Sequence, residues 1–263
     1  MTTKDKFITF EKVGMTYKDF FHLFIFRELS TEAQHAALLY KKVLEVFPTR
    51  THSRAHFYQT ISEMSDKYQW IKAEKSGRKL ILQLTNLGKE KQKDYFNSHF
   101  ERLHTTYNMA DHFIEVMEGN IKSINDSFPT QDQRFFSKLV RVRDLVRYFI
   151  LNSMVTSRRH VYGSEVLQML INKFGWQCSE GYFYELIHEM EGFMWIEGKW
   201  DDPTFRRKKL YHLLPLGEES YEGVKEKAFE NVKMIKTFVK DILVVFEVND
   251  ELQKLRILQT RGK

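Results

Sequence analysis

A chain of 263 residues with 42% hydrophobic and 29% charged residues, 22 Phe, 12 Tyr and 4 Trp carries core material for two ordinary domains, which excludes disorder as its main state. The single cysteine, Cys178, excludes an internal disulfide and a cysteine-built zinc site. Apolar runs such as "ILVVF" are far too short to span a bilayer, and the opening "MTTKDKFITF" has no secretory h-region, so a cytoplasmic location is expected.

The net charge of +6 and pI near 9.1 suggest a polyanionic partner. The excess is concentrated. Lys41, Lys42, Arg50, Arg54, Lys67, Lys72, Lys75, Arg78 and Lys79 face only Glu45, Glu63, Asp66 and Glu74 over one stretch. A solvated surface is the plainer explanation of such a run, so the charge alone does not establish nucleic-acid binding.

With only 4 Pro and 12 Gly, the chain reads as mostly helical. The first expected helix is "YKDFFHLFIF" (17–26), with Phe20, Phe21, Phe24 and Ile25 at helical spacing, and "LLYKKVLEVF" (38–47) is a second. A third opens after Ser53, a natural N-cap, and contains "FYQTISEM" (57–64), in which Phe57, Ile61 and Met64 form a core stripe. "YQWIKAE" (68–74) starts a strand, "EKSGRK" (74–79) is a basic turn, and "LILQLT" (80–85) returns. After Leu87-Gly88-Lys89 a long helix runs to Glu118, with Tyr95, Phe96, Phe100, Leu103, Tyr107 and Phe113 along one side. The polar 120–134 stretch reads as a linker.

The pattern then repeats. "VRDLVRYFIL" (142–151) answers the first helix through Leu145, Val146, Phe149 and Ile150, and "VYGSEVLQML" (161–170) answers the second. After Ser179 comes "FYELIHEM" (183–190), identical to 57–64 at five of eight positions, with Phe183, Ile187 and Met190 as its stripe. "FMWIEGK" (193–199), the turn "DDPTFRRKK" (201–209) and "LYHLLP" (210–215) lead into Leu216-Gly217-Glu218 and a second long helix to Val248. Its stripe is Phe229, Val232, Ile235, Phe238, Val239 and Ile242. Order and spacing of successive elements argue for an internal duplication, with one half at 1–119, a linker at 120–134 and the other half at 135–263.

Three helices and a hairpin form the element order of a winged helix-turn-helix, whose third helix enters the major groove. The expected fold is mainly α with small β-hairpin wings: tandem winged helix-turn-helix domains, each followed by a long dimerisation-type helix. The core stripes explain most of the repeat, so outward positions carry any function. In the first half these are Arg50, His52, Ser53, Arg54, His56, Tyr58 and Gln59, all donors or caps, followed by Lys75, Arg78 and Lys79 on the wing. In the second half Ser179, Tyr182 and Tyr184 are accompanied by Glu180 and Glu185, which oppose a phosphate backbone. Its cations lie on the wing, Arg206, Arg207, Lys208 and Lys209, and near Arg158 and Arg159.

Three further features have two readings each. His52 and His56 have a metal-compatible spacing, but phosphate contact or plain surface also fits them. Cys178 is a redox sensor or an incidental thiol. Trp70, Trp176, Trp195 and Trp200 line a ligand pocket or pack the core. Nucleophile elbow, phosphate-loop, zincin and dinucleotide motifs are all missing from the sequence, so neither an enzyme nor a cofactor is expected.

The second half, "VYGSEVLQMLINKFGWQCSEGYFYELIHEMEGFMWIEGKW" followed by "YHLLPLGEE", resembles the PadR-like transcriptional regulators in its Tyr-Gly helix start, its Ser-x-Gly-x-Phe-Tyr recognition-helix start, its Glu-x-x-Gly and its strand-to-helix corner. The first half is similar more loosely, through "SRAHFY" and "LQLTNLGKE". The resemblance implies a winged helix with a dimerising C-terminal helix, pseudo-palindromic operators bound as a homodimer, and in many members a small aromatic effector. It places the family's DNA-contacting tyrosine at Tyr58 and Tyr184. Fusion of two copies departs from the family pattern and puts the dimer stoichiometry in question. A replication-terminator winged helix is similar to the second half too. The function expected is a sequence-specific double-stranded DNA-binding repressor acting by operator occupancy as a single-chain pseudo-dimer, or as a homodimer through the long helices. The alternatives are an origin or terminator binder and a winged-helix protein-docking module.

Overall fold

The computed structural model describes residues 8–46, 52–120, 128–157, 160–174, 179–202, 204 and 208–246. Arg50, Arg158, Arg159, Trp176, Cys178, Arg206 and Arg207, singled out above, lie outside them. The chain opens with α1 (Tyr17–Leu29), β1 (Gln34–His35), α2 (Ala36–Val46) and α3 (Arg54–Ser62), which continues as a π-helical turn at Glu63–Lys67. Strands β2 (Ile71–Ser76) and β3 (Lys79–Leu84) lead into α4 (Asn86–Glu118). After α5 (Thr130–Ser137) the same order returns: α6 (Val142–Ser157), β4 (Val161–Tyr162), α7 (Gly163–Phe174), α8 (Glu180–Gly192), β5 (Ile196–Trp200), β6 (Lys209–Leu213) and α9 (Pro215–Leu243), ending in a 3-10 turn at Val244–Phe246. The fold is mainly helical with two small antiparallel sheets, as expected of winged helices. Among the described residues no helix is long and apolar enough to cross a membrane.

Each sheet has three strands, ordered β1-β3-β2 and β4-β6-β5. The short edge strands were not expected: Gln34 and His35 pair with Leu82 and Ile81, and Val161 and Tyr162 with Tyr211 and Leu210. Two residues are too few for an alternating pattern to register. The 161–170 stretch, expected to be helical throughout, therefore begins as β4.

Local chemistry sets the helix starts. Thr16 and Asp19 form a reciprocal capping box on α1. Ser53 and Ser179 cap α3 and α8, as expected, accepting from the N–H of His56 at 3.2 Å and of Tyr182 at 3.3 Å.

The ends of α3 and α8 account for a one-residue difference between the two sets. Six positions separate Met64 from Trp70, but five separate Met190 from Trp195. The tryptophan N–H nevertheless bonds the methionine carbonyl in both, at 2.8 Å and 3.0 Å. The extra residue is taken up by the π-helical turn, in which the Tyr68 N–H reaches back to the Glu63 carbonyl at 3.0 Å. The residue before each tryptophan, Gln69 and Met194, takes the same left-handed φ of 54°.

At the far side of each hairpin a glycine admits the long helix. A Cβ on Gly88 would lie 2.0 Å from the Trp70 carbonyl oxygen, and one on Gly217 would lie 2.2 Å from that of Trp195. This is the physical content of the Leu-Gly pair that opens each long helix.

The chain divides into two compact units. One comprises the residues up to Thr105 together with those from Thr237 on, the other Thr106–Lys236. In the first, Phe10, Phe20, Phe21, Phe24, Phe57 and Leu82 are fully buried, with Phe238 tilted against Phe10 at 5.5 Å and Phe246 edge-on to Phe96 at 5.1 Å. In the second, Phe113 stacks on Phe136 at 5.2 Å, and Phe149, Leu151, Leu170 and Phe183 are fully buried. The units divide at other points than the 1–119 and 135–263 halves read from the sequence, because the end of each long helix belongs to the other unit. The stretch 120–134 also differs from a plain linker: α5 starts at Thr130 and buries Gln133 and Phe136.

Candidate nucleic-acid interface

In the first unit α3 is anchored by Phe57, Ile61 and Met64, all buried, and by the Tyr40 hydroxyl, which donates to the His52 carbonyl at 2.8 Å. That orientation leaves Arg54, Ala55, Gln59 and Ser62 exposed and His56 and Tyr58 half-exposed. The Arg54 guanidinium stands 5.6 Å from the centre of the Tyr58 ring, a cation–π arrangement that fixes the arginine on this face. The Gln59 amide donates to Glu63 at 3.3 Å, and Lys18 of α1 pairs with the same carboxylate. Lys18 thereby holds the Glu63 carboxyl below its ordinary range, and Glu63 raises the lysine. The first acid along α3 is thus already partnered.

His52 does not belong to this face. Its ring is 5% exposed and lies against Phe20 at 6.1 Å and Tyr17 at 6.2 Å, inside the aromatic core. Neither base reading nor metal binding fits that placement. The sequence could not distinguish it from His56, since both belong to one short polar run.

The first wing is the β2–β3 hairpin. Gly77 takes a φ of +62° as the first residue of a two-residue turn, where any other side chain would be strained. Lys75, Arg78 and Lys79 are exposed there, with no ion pair among the described residues, whereas Lys72 pairs with Glu74.

In the second unit Phe183, Leu186, Ile187 and Met190 seat α8. The Tyr184 ring lies across Gly163, where a Cβ would come within 3.0 Å of it, so the Tyr-Gly pair is a packing contact between β4–α7 and α8. Tyr182 and Tyr184 are half-exposed, and Glu180, Gly181, Glu185 and His188 are exposed. Glu189 accepts from Arg147 at 2.7 Å and lies 3.7 Å from Arg143, the counterpart of the Lys18–Glu63 pair. All five identities between the two eight-residue stretches therefore have a structural cause: three core residues, a half-buried tyrosine, and a glutamate tied to the first helix of its set.

The second wing differs from expectation at Lys209. Its ammonium is held by both oxygens of Glu191, at 2.6 Å and 2.9 Å, and is only 20% exposed. Glu191 also accepts from the Gly198 N–H at 3.1 Å and lies 3.1 Å from His188 Nδ1, fastening the hairpin to the end of α8. Lys209 is therefore a clasp rather than a phosphate ligand. The Glu191 carboxylate was missed in the sequence, where an acid eighteen residues from its lysine gives no signal. Lys208 is exposed, 5.6 Å from the Tyr162 ring.

The tryptophans divide. Trp70 is packed between His22, Tyr68 and Tyr95, Trp195 lies beneath the Arg147 guanidinium at 5.7 Å, and Trp200 is 42% exposed. A cleft of about 920 Å³ opens in the second unit among Met154, Val155, His160, His212, Leu213, Glu218 and Tyr221. None of the described tryptophans lines it.

No curated protein matches the chain. The model of the transcriptional regulator PadR-like family matches residues 150–223, a span that holds β4, α7, α8, the second hairpin and the glycine corner of α9. A PadR-like domain therefore occupies this part of the chain.

Proposed function

We propose that the protein is a sequence-specific double-stranded DNA-binding transcriptional regulator that represses by occupying its operator. The observation that carries this is the outward face of α3. Arg54, His56, Tyr58 and Gln59 stand together on a serine-capped helix whose first acid is already paired, in the unit that also presents Lys75, Arg78 and Lys79 on its wing. The PadR-like match at 150–223 supports the regulatory class. The repeated element order, and the fact that each compact unit includes part of both α4 and α9, support a single-chain pseudo-dimer. A small aromatic effector, implied by the family resemblance, is proposed for the cleft beside Tyr221.

Arg54 then serves as a base reader and Arg78 and Lys79 as phosphate ligands. Replacing Arg54 by alanine should cost about 1–3 kcal/mol on the preferred site and little on random DNA. Replacing Arg78 or Lys79 should weaken both alike and lower the salt slope by about 0.9 each. Anisotropy titrations of both duplexes over a salt series measure this. Equal losses for Arg54→Ala on both duplexes would refute its assignment as a reader.

A further inference from the structure

The two helices α3 and α8 correspond position by position in sequence, cap and buried face, from serine to methionine, yet their outward chemistry is inverted. Ser53 and Ser179 cap them, and Phe57, Ile61 and Met64 match Phe183, Ile187 and Met190 in the core. At the first helical position Arg54 is replaced by Glu180, and at the next exposed turn Gln59 is replaced by Glu185. Both glutamates are exposed, and among the described residues neither has a hydrogen-bond or ion-pair partner. The other acids of α8 are neutralised in place, Glu189 by Arg147 and Glu191 by Lys209.

An uncompensated carboxylate brought to the backbone of a duplex is repelled by phosphate. At the first turn of α8 Glu180 also offsets the positive end of the helix, which would otherwise attract an anion. A carboxylate can accept from cytosine N4, but that mode needs nearby cations to offset the phosphates. Of the two described lysines around the start of β6, Lys209 is committed to Glu191 and the exposed Lys208 belongs to the wing.

We infer that the protein binds DNA with a fixed polarity: α3 alone reads bases, and the second unit adds only sequence-independent contact through its wing. The inference rests on the DNA-binding function proposed above and specifies its site. A homodimer on a palindrome has no direction. This chain occupies an asymmetric site, one block of specified bases flanked on one side by a protected but unspecified stretch, and so marks a direction along the duplex.

Selection of the full-length protein from a random duplex library tests this. The expected product is one contiguous specified block with no second copy of it, direct or inverted. A Cys178→Ser, Ser76→Cys chain carrying a tethered cleavage reagent should then cut at one end of the selected site only. Transplanting the α3 chemistry, with Glu180→Arg and Glu185→Gln together, should create a second specified block and steepen the salt slope by about 0.9 for the added cation. Two equivalent blocks from the unaltered chain, or symmetric cleavage, would overturn the inference while leaving the DNA-binding function intact. A fixed cytosine assigned to Glu180 or Glu185 would overturn it too. No enriched sequence at all would overturn the DNA-reading function itself and the polarity with it.

Discussion

Replacing Gly88 by alanine inserts one methyl group against a backbone carbonyl. The ideal Cβ would stand 2.0 Å from the Trp70 oxygen, 2.9 Å from the Trp70 carbonyl carbon and 2.8 Å from Leu84 Cδ1. An ordinary carbon–oxygen contact is about 3.3 Å, so α4 must withdraw from the hairpin by roughly 1.3 Å. Thr85 opposes that withdrawal. Its N–H and hydroxyl both donate to the Trp70 carbonyl at 3.0 Å, and its Oγ accepts from the Gly88 N–H at 3.0 Å. Overpacking costs about 1–3 kcal/mol and each weakened hydrogen bond up to about 1 kcal/mol, against a gain of about 1 kcal/mol in helix propensity. The net expectation is a loss of about 2–4 kcal/mol for Gly88→Ala. Gly217→Ala, whose Cβ would lie 2.2 Å from the Trp195 oxygen, should lose a similar amount. The internal control is Gly223→Ala in α9, where nothing lies within 4 Å and only the propensity gain of about 1 kcal/mol remains. Urea unfolding followed by circular dichroism orders the three variants. A neutral or stabilised Gly88→Ala would refute the close approach of helix and hairpin.

Three further outcomes are expected. Phe113→Ala, which removes a fully buried ring stacked on Phe136 at 5.2 Å, should destabilise by about 3–5 kcal/mol in thermal unfolding, and a loss below 1 kcal/mol would contradict that packing. Burial lowers the His22 imidazole from 6.5 to about 4, so the unfolded chain binds a proton between those values that the folded chain refuses. Stability should therefore fall by about 3 kcal/mol as the pH drops from 6.5 to 4, and His22→Phe should remove that share of the pH dependence in unfolding titrations. Lys209→Met should lower the melting temperature and leave the salt slope of DNA binding unchanged, because its ammonium serves Glu191; Lys208→Ala should do the reverse.

Much of this architecture was legible because the duplication presents each signal twice. The core stripes of α3 and α8, the serine caps and a long helix after each hairpin follow from helical spacing and capping chemistry, and the structure has all of them. Three kinds of feature were not legible. The edge strands β1 and β4 are too short to show a period. The burial of His52 depends on rings contributed by α1, and nothing in a local run of polar residues announces such a neighbour. The clasp between Lys209 and Glu191 joins the start of β6 to the end of α8, so of the basic run's two described lysines one is bound and one exposed. The ends of the long helices show the same limit: the stripe was visible, but not the unit in which each end is buried.

Purified full-length protein mixed with sheared genomic DNA at moderate salt, with the retained fragments sequenced, tests the proposed function most directly. A sequence-specific regulator enriches one or a few sites, and sites beside promoters would support repression by occupancy. Salt-sensitive binding of all fragments alike, or no binding, would contradict it and favour a winged helix used for protein docking.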